Sequence, residues 1–163
     1  MTDELNMPRL LERLSEESSR PRYAFMVLNL IAQASDHHGA AGPFIRTGNE
    51  AVPVRDWLCD ALTPMGRRDP RRLKLVKDVR EELARKAILP DDPAEADRFV
   101  DDEVRDRVRR SGKTNVSRAV SELVRAGFLR RHYAGRWVDH SNRGGQRQAV
   151  YVLPEEVRGA LGG

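Results

Sequence analysis

The chain has 163 residues, of which 39% are hydrophobic, 33% charged and 6% aromatic. That is length for one domain or one domain with an appendage, and too many hydrophobes for a disordered chain. The net charge of +4 is modest overall. Its distribution is not: residues 1–100 hold 16 Lys/Arg against 17 Asp/Glu, whereas residues 105–147 hold 12 against 3.

One cysteine, Cys59, excludes an intramolecular disulfide framework and an all-cysteine metal site. It fits a reducing compartment, and a cytoplasmic location is expected. The N-terminus carries acids where a leader would carry bases, and the longest apolar run, residues 23–34, is broken by Asn29 and Gln33. Neither a signal peptide nor a membrane partner is expected.

In chain order, Leu10, Leu11 and Leu14 predict a short, loosely attached amphipathic helix over residues 4–18. A second helix starts near Pro21 or Arg22 and runs to Gly39. It is apolar nearly all round, with Phe25, Leu28, Ile31 and Ala32 on one face and Met26, Val27, Leu30 and Ala34 beside it. Such a helix is buried, in the core or against a second subunit, and it is the expected dimerisation element. Residues 39–53 read as a loop with one short strand at Phe44 to Arg46. A short helix follows at 54–63, with Trp57, Leu58, Ala61 and Leu62 inward. A longer one, at 71–88, carries Leu75, Val76, Val79, Leu83 and Ile88 on one stripe. Asp92 before Pro93 is a good N-cap for the next helix, which runs to about Arg110.

The most patterned passage is "SGKTNVSRAVSELVRAGFLRR", residues 111–131. Thr114 suits the N-cap of a helix at 114–126 whose Val116, Val120, Leu123 and Val124 face inward, with Gly127 at its end. A period of 3.6 then puts Asn115, Arg118, Glu122 and Arg125 outward, flanked by Ser117 and Ser121. Residues 128–153 alternate as two strands joined by a basic, glycine-containing loop, a hairpin. Pro154 to Gly163 read as a short, fraying helix.

Helix, short turn, helix and hairpin, with "TNVSR" opening the third element and "GFL" closing it, resembles the winged helix-turn-helix DNA-binding superfamily. The MarR-like bacterial regulators are included in it. The resemblance covers residues 99–153. It implies a mainly α fold with a small β-hairpin, in a winged helix-turn-helix domain at 71–163; the helical region before it, at 1–66, is the part expected from its apolar second helix to serve dimerisation. It further implies a sequence-specific binder of double-stranded DNA, a transcriptional regulator acting as a homodimer, with a small-molecule or protein effector and no cofactor.

The chemistry of the residues agrees. An α-helix fits the major groove, where an arginine reads guanine and an asparagine reads adenine. Arg118 and Asn115 take those roles, with Lys113, Thr114, Ser117 and Ser121 on bases or phosphates. Arg130, Arg131, Arg136, Arg143 and Arg147 line the wing, Arg143 at its tip. Two alternatives keep the same residues: a plasmid or phage replication or partition factor with this reading head, and a winged-helix adaptor that docks a protein and ignores DNA. In the run from Arg105 to Arg110, a solvated face and phosphate contact weigh equally.

Other motifs carry less. "SGKT" at 111–114 lacks the upstream glycine of a phosphate loop, since Arg107 stands there. "DHH" at 36–38 reads as a helix end with histidines at the negative pole of the dipole. His132, His140 and Cys59 have no partners at metal-ligand spacing, and Tyr133 and Trp137 read as packing residues. No acid/base pair or nucleophile stands out, so an enzyme is not expected.

Overall fold

Eleven elements follow in a computed structural model, which describes residues 4–62, 68–134 and 148–162. Helix α1, Met7–Glu17, starts where the Asn6 side chain accepts from Arg9 N at 3.0 Å, and it buries Leu10 and Leu14, one turn apart. Helix α2, Pro21–Ala34, has a proline in its first turn and buries Ala24, Val27, Leu28 and Ile31. Its apolar surround is thus taken up within the chain, where α1 packs against it, and only Met26, 48% exposed, stands well clear. The expected subunit contact through α2 is not needed to explain its composition.

Helix α2 ends five residues before the expected stop at Gly39. Ser35 Oγ bonds back to Ala32 O at 2.6 Å, and the Asp36 carboxylate accepts from His38 N and Ala40 N. An aspartate that satisfies its own following backbone turns the chain, so His37 and His38 lie in a turn, beyond the helix end where they were expected. The chain then enters strand β1, Ala40–Ala41. Strands β2, Phe44–Thr47, and β3, Glu50–Pro53, form a hairpin with Thr47 opposite Glu50, where a single strand was expected.

Helix α3, Val54–Leu62, buries Val54, Leu58 and Cys59, but Ala61 is exposed. Helix α4, Pro70–Arg85, is capped by Asp69, whose carboxylate accepts from Arg71 N at 2.8 Å. It stops short of Ile88, because Ala87 adopts φ 57° and Ile88 N and Ala87 N bond to Leu83 O and Ala84 O. Ile88 was expected on the buried stripe and is 52% exposed instead.

Helix α5 runs from Pro93 to Arg125. Asp92 caps it as expected, accepting from Glu95 N at 3.1 Å. The break expected around residues 110–113, with Thr114 as a new cap, is absent: those residues are helical. The reason lies in Gly112. A glycine inside a helix costs about 1 kcal/mol relative to alanine, but here it is buried in a close approach, since a β-carbon on it would lie 3.5 Å from Cβ and Sγ of Cys59. Ser111 Oγ folds back onto Val108 O at 3.0 Å and leaves the helical backbone intact. Glycine and serine serve packing there, where the sequence suggested a turn.

Helix α5 ends as expected. Gly127 sits at φ 80°, Phe128 N bonds to Leu123 O and Gly127 N to Val124 O, the paired bonds of a Schellman close. Strands β4, Arg130–Ala134, and β5, Gln148–Val152, pair antiparallel, and β1 adds to the other edge of β5, giving the order β1-β5-β4. Being central, β5 buries Ala149, Val150 and Tyr151 in succession. Helix α6, Glu155–Ala160, is anchored by buried Val157 and Ala160.

The chain divides into two units, one formed by Met1–Leu58 with Thr114–Gly163, the other by Cys59–Lys113. This partition differs from the expected one at 66–71, because both chain ends share a unit. The larger core is built from Leu10, Leu14, Val27, Leu28, Ile31, Leu58, Val116, Val120, Leu123, Phe128, Tyr151 and Leu153. The smaller unit packs Val79, Leu83, Val100 and Val104 between α4 and the first part of α5. The fold is therefore mainly helical with a small antiparallel sheet.

The close of α4 yields a prediction. Alanine in the left-handed region is strained by about 1 to 2 kcal/mol, and glycine there costs chain entropy of about 0.5 to 1 kcal/mol. Ala87→Gly should stabilise the protein by roughly 0.5 kcal/mol, whereas Gly127→Ala should destabilise it by about 1 kcal/mol. Urea midpoints for the two variants, moving in opposite directions, are the check.

Candidate nucleic-acid interface

From Thr114 to Arg125, the buried positions of α5 are Val116, Ala119, Val120, Glu122 and Leu123. Thr114, Asn115, Arg118 and Arg125 are exposed, and Ser117 and Ser121 are half-buried. Arg130 and Arg131 are exposed on β4, as are His132 and Tyr133. Arg131 Nη1 lies 3.5 Å from Ser121 Oγ, which brings the start of β4 beside the helix. Lys113 is exposed and is the last residue of the smaller unit. Arg136, Arg143 and Arg147, with Trp137 and His140, lie outside the described residues.

Glu122 is the correction with most consequence. Expected to face outward, it is 8% exposed. Ser18 Oγ donates to its Oε1 at 2.7 Å, and Ser19 N and Oγ donate to its Oε2 at 3.2 and 2.9 Å. These bonds, the one from Ser18 foremost, together with nearby Arg125, hold the carboxyl below the usual glutamate range against the opposing effect of burial. Periodicity missed it because the helix face is covered at that one position by the corner between α1 and α2. The Ser-Ser pair at 18–19 was the only available signal.

Arg13 reinforces the same junction. Its Nη2 donates to Ala126 O at 2.8 Å, at the carbonyl end of α5, and its guanidinium lies 4.5 Å from the centroid of the Phe128 ring. A cation at a helix C-terminus is favourable.

Burying Glu122 changes the electrostatics of this surface. It is the only acid in the sequence between Asp106 and Asp139. The exposed side chains of residues 114–133 therefore include Arg118, Arg125, Arg130 and Arg131 and no carboxylate.

The arginines of the run 105–110 are differently employed. Arg105 pairs with Asp102, Arg107 bridges Glu82 and Glu103, and Arg109 makes two bonds to Asp60 at 2.9 and 2.7 Å. Lys86 and then Arg107 pull the Glu82 carboxyl down to about 2. These contacts tie the elements of the smaller unit to one another.

Elsewhere, a cleft of about 570 Å³ lies between the end of α2 and α6, lined by Asn29, Gln33, Asp36, Glu155 and Arg158 among others. Among the described residues, no cluster of His, Cys, Asp or Glu could hold a metal ion, and no helix is long and apolar enough to cross a membrane. Comparison with family models, with curated proteins and with solved structures finds no match to this chain.

Removing the Glu122 side chain leaves the buried Ser18 hydroxyl without its acceptor, at a cost of about 1 to 3 kcal/mol. Glu122→Ala should lower thermal stability accordingly at neutral pH. The depressed carboxyl gives the sign of the pH effect: its contribution is complete above the usual glutamate range and is lost as pH falls through the folded-state value. The gap in melting temperature between the wild type and Glu122→Gln should therefore narrow in acid.

Proposed function

We propose that the chain binds double-stranded DNA sequence-specifically, through the 114–125 part of α5 in the major groove and the β4–β5 hairpin beside it. The observation that carries this reading is that the exposed arginines of residues 114–133, Arg118, Arg125, Arg130 and Arg131, share that surface with no exposed carboxylate, because its one glutamate is turned inward. Phosphate attraction supplies most non-specific affinity for a duplex, and an exposed carboxylate in that footprint would oppose it.

The architecture we assign is a winged helix-turn-helix whose parts are not contiguous in sequence. Helix α2, strand β1, helix α3, the end of α5, then β4 and β5 follow in that order, and the sheet order β1-β5-β4 is what supports the assignment. On this reading α3 takes the part of the second helix that the resemblance gave to residues before 110, and the segment carrying α4 and the start of α5 is inserted between second and third helices. Arg118 reads a guanine and Asn115 an adenine, with Thr114, Ser117, Ser121, Arg130 and Arg131 on backbone or neighbouring bases. A transcriptional regulator acting as a homodimer on a pseudo-palindromic site is the role that fits such a head.

About six phosphate contacts should make binding to a random duplex fall by roughly a thousandfold between ~50 and ~200 mM salt. Absence of duplex binding at the lower salt would sink the proposal. Selection of bound duplexes from a random pool should return two half-sites spaced by about one helical turn or a multiple of it. Against the selected site, Arg118→Ala should lose about 1 to 3 kcal/mol and relax preference at one base position; full retention of that preference would remove Arg118 from the groove.

A further inference from the structure

The corner between α1 and α2 carries Arg20, whose backbone N–H donates to the same Ser18 hydroxyl that donates to Glu122. Glu122 lies one turn after Arg118 and three residues before Arg125, and both its oxygens are held by Ser18 and Ser19. Ser18 Oγ also accepts from Arg20 N at 3.1 Å, so the Arg20 backbone is tied to the serine that holds Glu122. Its guanidinium lies 4.5 Å from the centroid of the Tyr23 ring, a neighbour on α2. Stacking of that kind restrains the planar group and leaves its N–H edge available to an oxyanion. Arg20 is exposed, and no ion pair engages it among the described residues. Arg13, by contrast, is spent on the Ala126 carbonyl and the Phe128 ring.

We infer that the α1–α2 corner belongs to the duplex footprint: Arg20 contacts a backbone phosphate flanking the groove that Arg118 enters, and Ser18, Ser19 and Glu122 are the positioning residues that hold it there. This rests on the DNA-binding reading of α5. Contacts of this class fix register and orientation and carry no base preference, which gives the corner a signature distinct from that of Arg118.

The test uses the full chain, a random-sequence duplex and the selected site, with binding followed by fluorescence anisotropy from ~50 to ~200 mM salt. Arg20→Ala should bind every sequence more weakly, with the plot of log affinity against log salt shallower by about 1 and base preference unchanged. Arg20→Lys, which keeps the charge, should retain the wild-type slope. Circular dichroism of both variants should match the wild type, because Arg20 is exposed. If Arg20→Ala keeps the wild-type slope while Arg118→Ala still relaxes specificity, the corner is outside the footprint and the DNA-binding reading stands. If the wild type binds no duplex at low salt, both readings fall together.

Discussion

A carboxylate inside a protein has lost its water, and it stays ionised only where donors replace that water. Glu122 meets the condition through two consecutive serines, one donating a hydroxyl and the other a hydroxyl and a backbone amide. The consequences extend well past one side chain. The buried positions Val116, Val120 and Leu123 set which side of α5 faces the core, and the Glu122 bonds add the α1–α2 corner at the edge of the face that carries Arg118 and Arg125. Those bonds also hold α1 and α2 in the relation that lets Leu10, Leu14, Val27 and Leu28 share one core. Arg13 adds a second tie at the end of the same helix.

Much of the architecture was legible in the sequence, and the exceptions have physical causes. Caps were readable where one residue's own chemistry makes the cap: Asp92 before Pro93 through its carboxylate and Gly127 through its positive φ each stand where expected, and the β4 and β5 strands pair antiparallel as expected. The continuity of α5 was not legible, because Gly112 and Ser111 are turn residues by propensity and helix residues only when Cys59 packs against them. Nor was the end of α4, where an alanine takes the backbone angle that usually signals glycine. The β2–β3 hairpin carried a real signal in Gly48-Asn49, obscured because its strands are largely exposed and lack alternation.

The candidate surface was read with mixed success for the same reason. Helical period assigned the outward positions Asn115, Arg118 and Arg125 correctly, since each depends only on geometry within one helix. It failed at Glu122, whose burial depends on a segment about a hundred residues earlier in the chain. The arginines at 105–110 mark a similar limit: composition shows a basic run, while the structure spends three of them on Asp60, Glu82, Asp102 and Glu103. Counting charges along a sequence overstates a cationic surface wherever the partner carboxylates are distant in sequence.

The larger unit is assembled from both ends of the polypeptide, with the smaller unit's residues interposed. On a translating ribosome, Leu10, Leu14, Val27 and Ile31 emerge long before Val120, Leu123 and Tyr151. At about 5 to 20 residues per second the delay is on the order of ten seconds. For that interval the first two helices present a greasy surface with nothing to close over it. The core of the larger unit can therefore close only after Val120, Leu123 and Tyr151 have been made.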